Sequence, residues 1–122
     1  MEIEFLPLER LGANASGSTY SFRGRPTSHY LLGFRQKGSL SGNHYHTGTQ
    51  EAKNPEHFIL VQGLAHFSWR STSEESWNHR TVEGPILVRI YPQVVHLVEA
   101  LSDLVFLELN GIDAHRADTH NL

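Results

Sequence analysis

Two stretches of this chain, GSLSGNHYH (38–46) and EHFILVQG (56–63), contain most of its structural information. The second is a compact apolar run that ends at a glycine, a pattern typical of a buried β-strand. In the first, His44 and His46 are two positions apart, and on an extended segment alternate side chains share one face. Both imidazoles then point the same way and can hold one divalent ion at about 2.0–2.1 Å. We therefore expect a metal site on this segment.

Apolar and β-branched runs separated by turn residues predict short strands along most of the chain. The run 64–70 begins directly after Gly63, so we predict that it forms a hairpin with the strand before it. Residues 6–11 favour either a helix or an additional strand. Strands of this length and spacing are typical of a β-sandwich or barrel. The further predicted strands cover residues 30–35, 80–82, 86–90, 96–100 and 104–108.

The size and composition of the chain are those of a single globular domain. A chain of 122 residues can bury a hydrophobic core without cross-links, and 39% hydrophobic with 19% charged residues is an ordinary balance. We expect one domain over residues 1–122, with a core at about 28–110 and a polar, loosely ordered tail at 111–122. The net charge of −3, without a basic stripe, argues against nucleic acid as a partner.

The residue types that are missing or enriched narrow the chemistry. The chain contains no cysteine, which excludes disulfides, a thiolate metal site and a cysteine nucleophile. Its N-terminal stretch carries acidic residues and no long apolar run, so we expect neither a signal peptide nor a membrane partner, and we expect a cytoplasmic protein. Nine histidines is a high number for this length and points to metal or acid–base chemistry.

His96 is the best candidate for a third metal ligand. It follows a turn that contains Pro92 and leads into an apolar strand, so its position is well fixed. A carboxylate ligand has two candidates, Glu56 and Glu51. Glu56 opens the strand 56–62, whereas Glu51 lies in a polar loop, and a strand holds a ligand more precisely than a loop does. We therefore favour Glu56 and keep Glu51 as the alternative.

The spacing of these residues resembles the two sequence motifs of the cupin superfamily. The first motif is a glycine, five residues, His-x-His, then a glutamate, six residues and a glycine; here the loop before the glutamate is longer than usual. The second motif ends in a histidine after a Pro-x-Gly turn, and here Tyr91 and Gln93 replace the proline and the glycine. The residues in register with the first motif are Gly38, His44, His46, Glu56 and Gly63. Gly84 and His96 occupy the region of the second motif, where the spacing from Gly84 differs by one residue.

Within that superfamily, the chain resembles the C-terminal cupin domain of capsular polysaccharide assembling proteins. The shared segments are SGNHYH (41–46), EHFILVQGLAHFSWR (56–70) and the turn that ends in His96, although Ser41 stands where such domains often have an arginine. The resemblance implies an all-β cupin barrel of two packed antiparallel sheets, a zinc-type site and epimerisation of a nucleotide-linked sugar. It also implies a homodimer. The ligands that it implies are His44, His46, Glu56 and His96.

A site of histidines and one carboxylate accepts zinc, iron, nickel, copper or manganese, and we expect zinc first. A Lewis-acid metal would assist an epimerase or isomerase that acts on a keto-sugar, with His66 or Tyr30 as the base. Arg35 and Tyr91 are candidates for contacts with the small-molecule ligand, and the guanidinium of Arg35 suits a phosphate or carboxylate. Two alternatives remain, a small iron dioxygenase and a cupin that binds a ligand without catalysis. His66 also has a structural alternative, as a histidine of the barrel wall.

Overall fold

The computed structural model describes residues 2–121, which form twelve strands and one short helix, α1 (Ile112–Ala117). The strands, in chain order, are β1 (Ile3–Pro7), β2 (Glu9–Asn14), β3 (Gly17–Ser21), β4 (Leu31–Arg35), β5 (Leu40–Tyr45), β6 (Glu56–Gln62), β7 (Leu64–Ser71), β8 (Asn78–Glu83), β9 (Ile86–Ile90), β10 (Val94–Ala100), β11 (Leu104–Glu108) and β12 (His120–Asn121).

Ten of these strands make two five-stranded antiparallel sheets that pack against each other. The first sheet has the order β1-β9-β6-β11-β4 and the second the order β12-β5-β10-β7-β8, while β2 and β3 pair only with each other. Inward side chains of both sheets form one hydrophobic core, for example Phe58 and Val88 from the first sheet and Phe67 and Val94 from the second. Burying each large apolar side chain contributes roughly 1.5–3 kcal/mol. The prediction of an all-β fold of two packed antiparallel sheets is confirmed.

One local prediction about chain direction is wrong. Strands β6 and β7 do not form a hairpin, because β6 pairs with β9 and β11 whereas β7 pairs with β8 and β10. Gly63 between them has a φ of 109°, and a Cβ there would lie 2.3 Å from the carbonyl oxygen of Asp103. This glycine therefore lets the chain cross from one sheet to the other. Residues 6–11 contain the end of β1 and the start of β2, so of the two alternatives for this stretch the strand is the one observed.

The C-terminal segment is ordered, contrary to the prediction of a loosely ordered tail. Residues 112–117 form α1, and β12 pairs with β5, so that Asn121 lies opposite His44. Asn110 and Asp118 are buried in this segment. The tail therefore belongs to the folded body and lies beside the strand that carries the His-x-His pair. With six residues in α1, no helix within residues 2–121 is long and apolar enough to cross a membrane.

Candidate metal centre

Three histidines converge between the two sheets. His44 lies on β5, His46 follows directly after it, and His96 lies opposite His44 on the neighbouring strand β10. The ring centroids are 4.6 Å apart for His44 and His96, 5.2 Å for His46 and His96, and 5.3 Å for His44 and His46. One nitrogen of each ring lies within 4.8 Å of the others. A tetrahedral ion with bonds of 2.0–2.1 Å spaces its ligands about 3.4 Å apart, so small side-chain rotations would suffice to fit it.

A bulge in β5 brings the two strands close at this point. The register between β10 and β5 shifts after His96, and both Gly42 (φ 101°) and Asn43 (φ 64°) have left-handed backbone conformations. A Cβ on Gly42 would lie 2.6 Å from the carbonyl oxygen of His96. Bulges of this kind re-aim the side chains beside them. The glycine in GNHYH is therefore required so that His44 can lie next to His96.

Glu56 supplies the carboxylate at this cluster. It is the first residue of β6 and only 2% exposed, and its Oε2 lies 2.9 Å from Nε2 of His46 and 3.9 Å from Nε2 of His96. Glu51 is exposed in the preceding loop, where its backbone carbonyl accepts a hydrogen bond from Arg25. The structure therefore brings Glu56 to the three histidines and leaves Glu51 outside the cluster.

A second group of polar residues adjoins the first on the side of Glu56. Glu108, at the end of β11, and His115, on α1, place ligand-type atoms within 4.8 Å of the Glu56 carboxylate and of each other. The ammonium of Lys53 lies among them, 2.8 Å from Oε1 of Glu56, 3.0 Å from Nδ1 of His115 and 3.1 Å from Oδ1 of Asn110. Sequence reasoning missed these residues, because a lysine in a polar loop and a histidine in a polar tail resemble solvated side chains.

Asp118 connects the C-terminal segment to the loop that follows His46. Its side chain is fully buried, and its carboxylate accepts hydrogen bonds from the backbone N–H of Thr47 (2.8 Å), the hydroxyl of Thr47 (2.7 Å) and the N–H groups of Gly48 (2.8 Å) and Gln50 (3.3 Å). Its backbone carbonyl accepts a hydrogen bond of 2.6 Å from Nδ1 of His46. Since Nδ1 donates, Nε2 is the nitrogen that faces the cluster, an arrangement typical of metal-ligating histidines.

The protonation states at neutral pH suit a divalent cation. Burial, then the positive potential of the neighbouring imidazoles, lowers the pKa of His44 to about 3, and burial lowers the pKa of His96 to about 4. Burial alone would raise the pKa of Glu56, but the hydrogen bond with His46 and the attraction of Lys53 outweigh it and hold that pKa well below its usual range. His44 and His96 are therefore neutral and Glu56 is ionised, which are the forms that bind metal.

Three residues of the cluster, His44, His96 and Glu56, line a cavity of about 140 Å³. Glu108 and His115 also line it, and much of the remaining wall is apolar, including the rings of Phe58, Phe67 and Phe106. Arg35 also lines the cavity; its Nε donates to the hydroxyl of Ser41 at 3.0 Å and its guanidinium lies 4.9 Å from the ring centre of Phe106. Arg35, which the sequence offered as a ligand contact, therefore lines this cavity.

Three of the predicted ligand-contacting residues lie elsewhere. His66 neighbours the inward-facing Phe67 on β7 and so points to the outer face, where it contacts Thr81 (2.9 Å) and stacks on His79. The hydroxyl of Tyr30 is bonded to the carbonyl of Thr27 on the surface. The hydroxyl of Tyr91 donates to the carboxylate of Glu4. None of the three lines the cavity. The roles of His66 or Tyr30 as the base and of Tyr91 as a ligand contact stay predictions from the sequence.

No family model matches the chain, and no curated protein matches it significantly. Solved structures do. The capsular polysaccharide assembling protein CapF of Staphylococcus aureus superposes with a TM-score of 0.62 and 22% identity, over 95% of this chain and 32% of CapF, so the chain spans about a third of that protein. A 3,4-ketoisomerase of Helicobacter canadensis superposes with a TM-score of 0.70 and 14% identity, over 89% of this chain and 82% of that one.

The sugar 3,4-ketoisomerase QdtA of Thermoanaerobacterium thermosaccharolyticum, solved in complex with TDP, superposes with a TM-score of 0.67 and 15% identity, over 88% of this chain and 79% of QdtA. At such identities the likeness concerns the fold. Together with the packed antiparallel sheets and the three histidines that converge between them, it shows that the chain is a small protein of the cupin fold that resembles CapF in structure.

Proposed function

We propose that this chain is a metal-dependent epimerase or isomerase that acts on a nucleotide-linked or other keto-sugar in polysaccharide biosynthesis. The observation that carries the proposal is the convergence of three histidines and Glu56, of which His44, His96 and Glu56 line a largely apolar cavity. The fold is also that of proteins described as CapF and as sugar 3,4-ketoisomerases, which supports a sugar substrate.

We propose zinc as the resident metal, held by His44, His46, His96 and Glu56. Three imidazole nitrogens and one carboxylate oxygen are a donor set that suits zinc, and iron, nickel and manganese are the alternatives. When bound, the metal supplies Lewis acidity that polarises a keto or enediol oxygen. Glu56, His44 and His96 line the cavity, so a sugar carbonyl can reach the centre from that side.

Glu108 and His115 are the side chains placed to move a proton beside the metal centre. Both line the cavity, and Nδ1 of His115 lies 3.8 Å from Oε2 of Glu108. Burial, together with the negative charge of Glu56, raises the pKa of Glu108 to about 7. A carboxyl group with that pKa both gives and accepts protons at neutral pH, which is what transfer at the carbon next to a carbonyl requires.

The cavity is suited to one small ring. Typical ligand pockets measure about 300–1,000 Å³, whereas this cavity measures about 140 Å³. A sugar ring can enter it, and a nucleotide attached to the sugar would remain outside. The rings of Phe58, Phe67 and Phe106 offer an apolar surface for the C–H face of a sugar. Arg35 is the cationic group that can contact a phosphate or a hydroxyl.

The first experiment is elemental analysis of the purified protein and of the His44→Ala variant, after loading with zinc. We expect one equivalent of metal in the parent protein and little in the variant, with His79→Ala on the outer face as the control that keeps its metal. The second experiment incubates the zinc protein with a TDP-linked 4-keto sugar in D₂O. Deuterium entering the sugar next to the carbonyl, lost in Glu108→Gln, supports the proposal.

The same experiments decide between the proposal and its alternatives. Iron as the native metal, with oxygen uptake and no deuterium exchange, would replace the isomerase by a dioxygenase. Metal binding with neither activity would leave a ligand-binding cupin. Absence of metal after loading would refute the proposed centre itself.

We also propose that the protein is a homodimer. Strand β4 is the edge of its sheet, and Leu32 (61%) and Phe34 (67%) are exposed on it. Apolar edge strands of this kind are normally covered. Light scattering should give twice the mass of 13.8 kDa, and Phe34→Glu should return the monomer; a monomeric parent protein would refute this part. Cytoplasmic residence remains a prediction from the sequence.

A further inference from the structure

The two groups of ligand atoms share Glu56. Within residues 2–121, His44, His46 and His96 form one group and Glu56, Glu108 and His115 form the other. Because Oε2 of Glu56 lies 2.9 Å from His46, the glutamate adjoins the first group while it belongs to the second. Two metal sites joined by one carboxylate are a common arrangement in enzymes. The carboxylates of the second group therefore need a positive charge beside them.

The ammonium of Lys53 supplies this positive charge. The side chain is 0% exposed, and its three partners are a carboxylate oxygen of Glu56 (2.8 Å), an imidazole nitrogen of His115 (3.0 Å) and an amide oxygen of Asn110 (3.1 Å). An ammonium has three hydrogens, so these contacts account for all of its donors. Carboxylate oxygen, imidazole nitrogen and amide oxygen are also the atoms that a divalent ion takes as ligands.

Lys53 also makes the two carboxylate oxygens of Glu56 inequivalent. Oε1 is bonded to the ammonium, whereas Oε2 faces His46 and His96. A metal held by the three histidines therefore receives one oxygen from Glu56, and the other oxygen is committed to the lysine. A single-oxygen contact leaves more of the coordination sphere open towards the cavity than a two-oxygen contact would.

We propose that Lys53 is a built-in cation that limits this cavity to one metal ion: it fills the position between Glu56 and His115 where a second ion would bind, and it restricts Glu56 to one oxygen. The inference rests on the metal centre of the proposed function. It goes beyond that function because it assigns a role to a loop residue that is not itself a ligand.

The test compares the parent protein with Lys53→Met, which keeps an unbranched side chain of similar length and removes the charge. Both are loaded with Co²⁺, and the bound metal is counted by elemental analysis after removal of free ions. We expect one equivalent in the parent protein and two in Lys53→Met, with a changed visible spectrum for the first ion because Oε1 of Glu56 becomes free. Lys37→Met, at an exposed turn, is the matched control and should behave as the parent.

A second pair of variants keeps the test decisive if Lys53→Met does not fold. With Lys53 in place, Glu108→Gln and His115→Ala should each retain the parent's full equivalent of Co²⁺ and its spectrum. Where Lys53→Met does fold, adding Glu108→Gln to it should remove the second equivalent. Loss of metal from either single variant would show that the second group already binds an ion, and would overturn the proposal.

The remaining outcomes separate this inference from the proposed function. One equivalent in both the parent and a folded Lys53→Met, with unchanged spectra, would refute the role of Lys53 and leave the metal centre intact. Two equivalents in the parent would refute the role of Lys53 as well. No metal in the parent would refute the centre, and the role of Lys53 with it.

Discussion

Truncating Asp118 to alanine should cost the protein a large part of its stability, although Asp118 comes from a segment that looks dispensable in the sequence. The carboxylate is fully buried, and three of its five accepted hydrogen bonds are 2.8 Å or shorter. Burial would raise the pKa of Asp118, but the bonds from Thr47, Gln50 and Gly48 outweigh it and hold that pKa well below its usual range. The charged form is therefore strongly preferred in the folded state.

The size of the loss follows from these bonds. A hydrogen bond to a charged group contributes about 1.5–3 kcal/mol, and a buried donor that loses its partner costs about 1–3 kcal/mol. The donors belong to Thr47, Gly48 and Gln50, which are only partly buried, so water can replace some of the lost contacts. We therefore expect Asp118→Ala to lower the free energy of unfolding by about 3 kcal/mol, which is less than the roughly 4.5–9 kcal/mol that three short bonds would give without replacement by water.

The assay is urea denaturation of the metal-free protein at pH 7, followed by tryptophan fluorescence. Asp113→Ala is the control, because Asp113 is an exposed carboxylate of the same segment and should change the free energy by less than about 1 kcal/mol. Asp118→Ala should also weaken zinc binding by about 10–100-fold, since the loop beside His46 loses its anchor. A loss below about 1 kcal/mol, with zinc affinity unchanged, would refute the reasoning.

The other predictions concern the metal centre, the crossover glycine and the response to pH. Glu56→Gln should weaken zinc binding more than Glu51→Gln does, as measured by competition with a chelating dye; the reverse order would move the carboxylate ligand to the loop. Gly63→Ala should lower the melting temperature, because its φ of 109° and the carbonyl of Asp103 exclude a methyl group, whereas an unchanged melting temperature would contradict that packing. The raised pKa of Glu108, about 7 against 4.5, means that the folded metal-free protein holds this proton more tightly than the unfolded chain. The protonated carboxyl of Glu108 therefore contributes to stability below pH 4.5, and this contribution is lost as the pH rises to 7. Relative to the parent protein, Glu108→Gln should accordingly become more stable between pH 4.5 and pH 8. A stability difference that is constant with pH would argue against a buried carboxyl there.

The predictions that held depend on short-range patterns. Alternation along β5 places His44 and His46 on one face, and the spacing of Glu56 and His96 follows from motifs within a few residues of each strand. The same alternation also sets the direction of His66. Because Phe67 is apolar and points inward, its neighbour His66 must point outward, and the sequence already contained that signal.

The predictions that failed needed contacts between distant parts of the chain. A glycine between two strands gives the same sequence pattern whether the chain makes a hairpin or crosses to another sheet. Here the crossover depends on the packing of Gly63 against Asp103. Lys53 and Asp118 are polar residues in polar segments, and their burial follows from partners as far away as Asn110 and Thr47. No local period encodes such pairings, so these residues were missed.

The bond between His46 and Asp118 has a consequence for how the protein is made. The two residues are 72 positions apart, and His46 leaves the ribosome first. At about 5–20 residues per second, roughly 4–14 s pass before Asp118 is synthesised. During that interval His44 and His46 are present in a nascent chain without the carbonyl that orients one of them. A metal ion bound in that interval would meet ligands that are not yet oriented. We therefore expect the metal to bind correctly after Asp118 has been synthesised, and not before.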